Sequence, residues 1–260
     1  MKLNISIADA FTKEPFKGNP AGVCITETEL DAGLMQSIAM EMGQSETAFT
    51  YLKNGERILR WFTPLVEVDL CGHATLATAH IMREEGLTDG RTVEFSTRSG
   101  KLKAEYSGDE IILDFPTGVI SRGEMPEGLD EAIGADVEYI GESGFMHLVR
   151  IGSEKELVEL KPDMTKLAKA IPDGVIVTCP SKDYDFVSRM FAPAIGINED
   201  PVTGSAHCIL SSYWHEVTDK TEFNAYQASP RGGGMYVRYT DERTYLRSSA
   251  RTSLKGIILV

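Results

Sequence analysis

The 260-residue sequence holds no apolar run near the roughly 18 residues that a membrane-spanning helix needs, which excludes a helical span. Its opening stretch, MKLNISIADAFTKEPF, interleaves apolar positions with Asn, Ser and Asp, so no secretory leader is expected. Cysteine is scarce: Cys24, Cys71, Cys179 and Cys208 stand far apart, with no Cys-x-x-Cys and no zinc spacing. Free thiols in a reducing cytoplasm are the expectation. Positive charge is also short, 26 Lys and Arg against 39 Asp and Glu, for a formal net charge of −13. Nucleic acid is bound largely through Lys and Arg on phosphates, so no nucleic-acid partner is expected. A Gly-x-Ser-x-Gly elbow, a His-Glu-x-x-His pair and a P-loop are all missing, which leaves a hydrolase or lyase unsupported. Gly232-Gly233-Gly234 lacks dinucleotide-fingerprint spacing and reads as a turn between strands.

What is present suits a globular enzyme-sized chain: 42% apolar and 25% charged residues, enough for a sizeable core in one large domain or two small ones. Alternation in LNISIADAF and the segment 21–25 indicate strands, separated by a turn at Phe16-Lys17-Gly18-Asn19-Pro20. Residues 31–42 carry helix signals, with Asp31 as N-cap, apolar Leu34, Ile38 and Met42, and Gly43 as the stop. TAFTYL and ERILRWFT alternate like paired strands around Asn54-Gly55. A helix of small and apolar residues on nearly every face is expected over 72–86, and such a helix belongs in a core. Strands follow at TVEFST, KLKAEY and EIILDF. The Gly- and Pro-rich stretch 116–131 is the candidate linker. Beyond it, FMHLVRI, GVIVTC and DFVSRMF read as strands, 204–217 as a second central helix with Ile209, Leu210, Tyr213, Trp214 and Val217, and GMYVRYT, TYLRSS and LKGIILV as closing strands.

The order of elements repeats. RWFTP at 60–64 leads into Gly72-His73-Ala74, and RMFAP at 189–193 leads into Gly204-Ser205-Ala206, with a three-residue insertion in the second copy. The copies lie about half a chain apart, which points to duplication into halves 1–116 and 117–260. Whether the C-terminal strand returns to the first half stays open.

Both junctions start helices with Gly and small residues, which leaves free backbone N–H groups and a favourable dipole for an anion such as a carboxylate. Donors placed there also stabilise negative charge developing on the adjacent carbon. Proton transfer at carbon further needs a base, and Glu46, at a helix-to-strand junction flanked by Ser45 and by Ala48 and Phe49, is the candidate. In a partly dry site its pKa is expected to rise, allowing it to take and return a proton near neutrality. Each residue has a plainer reading: Glu46 a solvated turn carboxylate, Asp200 a helix-preceding turn residue, His73 a buried structural histidine, Ser205 an N-cap, and Cys71 a small core residue or a thiol activated at a helix start.

The blocks DAFTKEPFKGNPAGV, SETAF, RWFTPLVEVDLCGHATL, SRMFAPAIGINEDPVTGSAHC and YQASPRGG, in this order from residue 9 to 233, resemble the phenazine-biosynthesis isomerase family, the PhzF-like proteins. The resemblance implies an α/β (α+β) diaminopimelate-epimerase-like fold: two pseudo-symmetric halves, each a curved, barrel-like, mostly antiparallel sheet around a central helix, with the active site between them. It implies a cofactor-independent isomerase, with no metal, acting on a small carboxylate such as dihydro-3-hydroxyanthranilate. Glu46 corresponds to the acid/base, and His73 and Asp200 to its polar partners. Ser45, Gly72, Gly204 and Ser205 correspond to substrate-binding positions. A two-thiol racemase is not expected, because the second junction offers no cysteine before Cys208. Family resemblance further implies a homodimer. The alternative from another functional class is a binding protein that keeps the fold without turnover.

Overall fold

The computed structural model describes every residue except Asp89 and Phe145. The chain divides into two compact units, Met1–Asp114 together with Arg247–Val260, and Phe115–Leu246.

The first unit contains β1 (Lys2–Ala10), β2 (Asn19–Ile25), α1 (Ala32–Met42), β3 (Thr47–Lys53), β4 (Glu56–Phe62), β5 (Glu67–Val68), α2 (Gly72–Glu84), β6 (Thr92–Thr97), β7 (Gly100–Ser107), β8 (Glu110–Pro116) and the C-terminal strand β18 (Ala250–Leu259). Its strands pair in the order β18-β1-β2-β3-β4-β6-β7-β8, antiparallel except for β2/β3 and β4/β6. Strands from both ends of this order, β18 and β7, touch α2, so the sheet curls around that helix. Every α2 residue from His73 to Met82 is buried. The sequence permits this because Ala74, Ala77 and Ala79 are small and the two threonines satisfy themselves: Thr75 and Thr78 hydroxyls donate to the carbonyls of Cys71 and Ala74 at 2.6 and 2.7 Å. The outer face of the sheet carries α1, capped by Asp31 Oδ1 accepting from the Gly33 and Leu34 amides and ended by Gly43 at φ +60°. Met35, Ile38 and Ala39 of α1 pack on Cys24, Phe49, Tyr51 and Phe62. Asn54 and Gly55 both take positive φ, 54° and 83°, as a two-residue hairpin requires.

The second unit contains β9 (Ser121–Arg122), α3 (Leu129–Ile133), β10 (Val137–Ser143), β11 (Met146–Ile151), α4 (Glu154–Glu159), α5 (Met164–Ala170), β12 (Gly174–Pro180), β13 (Phe186–Ala192), β14 (Ile197–Asp200), α6 (Gly204–Thr218), β15 (Glu222–Gln227), β16 (Gly233–Tyr239) and β17 (Arg243–Ser248). The order β9-β10-β11-β12-β13-β15-β16 again has two parallel pairs, β11/β12 and β13/β15, at the places equivalent to β2/β3 and β4/β6. The buried helix α6 occupies the place of α2 in chain order. The strand expected at FMHLVRI runs from Met146, and Phe145 lies outside the described residues.

The second unit also departs from expectation. The stretch 116–131 is no free linker: the Gly118 amide donates to Cys208 O at 3.2 Å, Ile120 and Leu129 are buried, and α3 begins inside it. Helices α3, α4 and α5 are five to seven residues long, too short to show a 3.6-residue period. They hold because Leu129, Leu157 and Leu167 enter one core with Val149, Val175 and Phe191. Val217, expected on the buried face of α6, is 45% exposed, since the last turn of the helix runs out of the core.

The doubled Arg-x-Phe-x-Pro now has a physical meaning. Arg60 on β4 grips Glu67 on β5 side-on, Nε to Oε1 at 2.7 Å and Nη2 to Oε2 at 2.8 Å. Arg189 on β13 grips Glu199 on β14 in the same way at 2.7 and 2.9 Å. Each guanidinium lies over the phenylalanine two residues on, 5.2 Å from Phe62 and 4.9 Å from Phe191. The partners are seven residues apart in the first copy and ten in the second, so the three-residue insertion falls between the long strand and the short one, β13 and β14. Both forks brace the short strand from which the chain enters its buried helix.

Candidate active site

In the first unit Gly43 ends α1 by turning the chain left-handed, and three residues later Glu46 stands immediately before β3. Its backbone is pinned: the Gly22 amide on β2 donates to the Glu46 carbonyl at 3.0 Å. Only glycine fits at position 22, since a Cβ there would lie 2.6 Å from Thr47 Oγ1. The side chain of Glu46 is 15% exposed and turns towards the start of α2.

Helix α2 begins with no side-chain cap and no acidic residue in its first turn, so its orphan N–H groups remain open to an anion. The third residue of the Cys71-Gly72-His73 entry, His73, is buried, with Nε2 at 3.1 Å from Glu46 Oε2 and 3.2 Å from Ser45 Oγ. Oε2 of Glu46 is sealed from solvent and faces the His73 ring at that 3.1 Å contact. Cys71 Sγ lies 3.5 Å from His73 Nδ1.

The electrostatics of this trio correct the expectation of a raised Glu46. Burial pushes Glu46 upward, but the His73 charge and polar contacts with His73, Ser45 and Cys71 outweigh it, and the net direction is down. Burial likewise pushes His73 down, yet the Cys71 sulfur, within hydrogen-bonding reach of its ring, and the Glu46 charge beside it hold it well above 6.5. Burial raises Cys71, with Glu46 adding to the effect, so its sulfur is a thiol rather than an activated thiolate. The resting site is therefore a carboxylate–imidazolium pair next to a neutral thiol. Donor atoms of Glu46, Cys71 and His73 all lie within 4.8 Å of one another, a set that would also suit a thiophilic divalent cation. Such an ion would have to displace the protons of His73 and Cys71.

In the second unit β14 ends at Asp200, and α6 begins at Gly204 with Thr203 as its N-cap. Ser205 is not the cap: it is the second residue of the helix and exposed. Gly204 is buried, and again the first turn has no acidic residue and no side-chain cap. The Thr203 hydroxyl donates to Asp200 Oδ2. His207 one turn on is neutral: burial drops its pKa to about 4, and its Nδ1–H donates to Thr203 O at 2.8 Å. Cys208 is buried within α6, its thiol pushed up to about 12.

Ser45, Glu46, Gly72 and His73 thus come together in the first unit, and Asp200, Gly204 and Ser205 in the second. Sequence reasoning did not single out Gly22, the two fork glutamates, Thr203 or Gln227. The glutamates were findable from the repeat, because they occupy matched positions once the insertion is counted. Gly22 and Gln227 stand in the blocks NPAGV and YQASPRGG, but their roles depend on which strand lies beside them.

Two units, each with one buried helix that opens a donor-lined junction, define the diaminopimelate-epimerase-like fold. A crystal structure of a hydroxyproline epimerase from Agrobacterium vitis shares this fold at TM-score 0.66 and 8% identity, over 99% of this chain and 92% of that one. The family model for phenazine biosynthesis-like proteins matches residues 8–257, and the chain belongs to that family. It is 46% identical over 264 residues to an uncharacterized isomerase of Halalkalibacterium halodurans, covering the full length of both. A PhzF-family crystal structure from Enterococcus faecalis superposes at TM-score 0.96 with 38% identity, over the full length of both chains. The protein is an isomerase of this kind.

Proposed function

We propose that this isomerase moves a proton between carbons of a small carboxylate substrate of the dihydro-3-hydroxyanthranilate type, with no metal or organic cofactor. The observation that carries the reading is Glu46, nearly buried and ionised against His73 at 3.1 Å beside the uncapped start of α2. As the carboxylate, Glu46 takes the proton from carbon. As the acid, it returns that proton to a second carbon of the same conjugated frame. The His73 imidazolium offsets the anionic charge that develops, and the open amides after Gly72 hold the substrate carboxylate. In this reading Ser45 and Asp200 orient the substrate, and Gly204 and Ser205 give the second junction the same carboxylate-holding role. That both junctions serve one substrate follows from the family resemblance and is part of the proposal. So are a homodimeric state, to be checked by sedimentation at micromolar protein, and a cytoplasmic location. Among the described residues no helix is long and apolar enough to cross a membrane.

The test is proton NMR in D₂O with trans-2,3-dihydro-3-hydroxyanthranilate and a panel of small amino and hydroxy acids. Deuterium should enter one carbon with the wild type and fail to enter with Glu46→Gln, whose rate should fall about 10²–10⁴-fold. Exchange unaffected by Glu46→Gln would overturn the assignment, and no exchange with any compound would favour a binding role.

A further inference from the structure

Gln227 lies at the end of β15, fully buried, beside the second junction. Its amide is completely engaged there. Oε1 accepts from the Thr203 amide at 2.9 Å, and Nε2 donates to Asp200 O at 2.7 Å and to Thr203 Oγ1 at 3.2 Å. An amide NH₂ can only donate, so Thr203 Oγ1 is the acceptor in that last contact. The one hydroxyl proton of Thr203 is then free to point elsewhere, and it points at Asp200 Oδ2. The chain of donation therefore has one direction: Gln227 to Thr203, and Thr203 to the Asp200 carboxylate. Gln227 also occupies the N-cap amide, leaving the amides that follow it at the start of α6 for a ligand.

We infer that Gln227 is a positioning residue of the isomerase, acting through the Thr203 hydroxyl to hold Asp200 as an oriented, ionised carboxylate. This builds on the proposed role of Asp200 towards substrate. Thr203 fills the position matched by Cys71 in the first repeat, so the second junction carries a hydroxyl where the first carries a thiol. The charged pair next in the chain, Glu199 with Arg189, is satisfied by its own fork and leaves the direction of Thr203 to Gln227.

Three variants separate this role from a structural one. Thr203→Val removes the hydroxyl, Thr203→Ser keeps it, and Gln227→Met removes the donor without adding a charge beside Asp200. In ¹³C-aspartate-labelled protein without substrate, the Asp200 carboxyl, assigned by its loss in Asp200→Asn, should titrate at higher pH in Thr203→Val and Gln227→Met. It should stay near wild type in Thr203→Ser. In the exchange assay Thr203→Val and Gln227→Met should each lower kcat about tenfold or more with KM little changed, because both take a hydrogen bond from a charged group. Because Gln227 acts through Thr203, the double variant Thr203→Val with Gln227→Met should be no slower than Thr203→Val alone. An unmoved Asp200 titration in both variants, or additive losses in the double variant, would overturn the inference. Glu46→Gln in the same assay keeps the two readings apart: an active Glu46→Gln refutes the proposed acid/base, and the Asp200 titration then decides the role of Gln227 by itself.

Discussion

Glu46 and His73 carry opposite charges at 3.1 Å in a nearly closed site, and each keeps the other ionised. His73 has its folded pKa raised above 6.5, so its stabilising contribution is complete below that value and is lost as pH rises through the folded pKa. Glu46 is lowered from 4.5, so its contribution is complete above that value and is lost as pH falls through the folded pKa. The stability advantage of wild type over His73→Gln should therefore peak between 4.5 and 6.5 and shrink on either side, as thermal melts across pH would show. A flat difference would mean that the pair is not ionised as described. Cys71 leads to a second expectation at this scale. Burial holds it as a thiol, so Cys71→Ser should retain kcat within about one order of magnitude, below the 10²–10⁴ expected of an acid/base group. A larger loss in the exchange assay would give the thiol a chemical role.

Between residue and fold stand the two arginine forks, which tie each short strand to its long neighbour just before a buried helix. Arg189 is buried and also donates to the carbonyls of Leu157 and Leu160 at 3.1 and 2.9 Å, so losing Glu199 strands a charge inside the protein. Glu199→Gln should cost about 3 kcal/mol in urea unfolding, as removal of one partner of a buried pair does. Glu131→Gln, which removes an exposed partner of Lys166, should cost less than about 0.5 kcal/mol. Equal effects would show the fork to be a surface contact in energetic terms. The turn before β16 offers a steric counterpart. Gly232 takes φ +65°, and a Cβ there would fall 1.9 Å from the Tyr226 hydroxyl, so Gly232→Ala should destabilise by about 1–3 kcal/mol in the same assay.

At the scale of the whole molecule, the first unit is assembled from both ends of the chain. β18 pairs with β1 along its length, and Thr252 and Lys255 reach back to Glu84 on α2 at 2.7 and 3.1 Å. Deleting residues 250–260 should therefore expose β1 and one face of α2 and abolish cooperative unfolding of that unit, which circular dichroism melts would detect. A cooperative transition retained without β18 would show that the strand is dispensable. What depends on local chemistry was legible in the chain: α1 between Asp31 and Gly43, the Asn54-Gly55 hairpin, the two small-residue helices, the repeat, and the motifs carrying Glu46 and His73. Short-range sterics and hydrogen bonding specify these within a few residues. Helices α3 to α5 were illegible because five to seven residues carry no period and are held by packing alone. The charge state of Glu46 depends on packing between distant segments, since burial pushes it one way, and a histidine 27 residues on, with Ser45 and Cys71, pushes it further the other. The same holds for Gln227, whose amide gains its direction from a helix start 24 residues away that only strand pairing brings within reach.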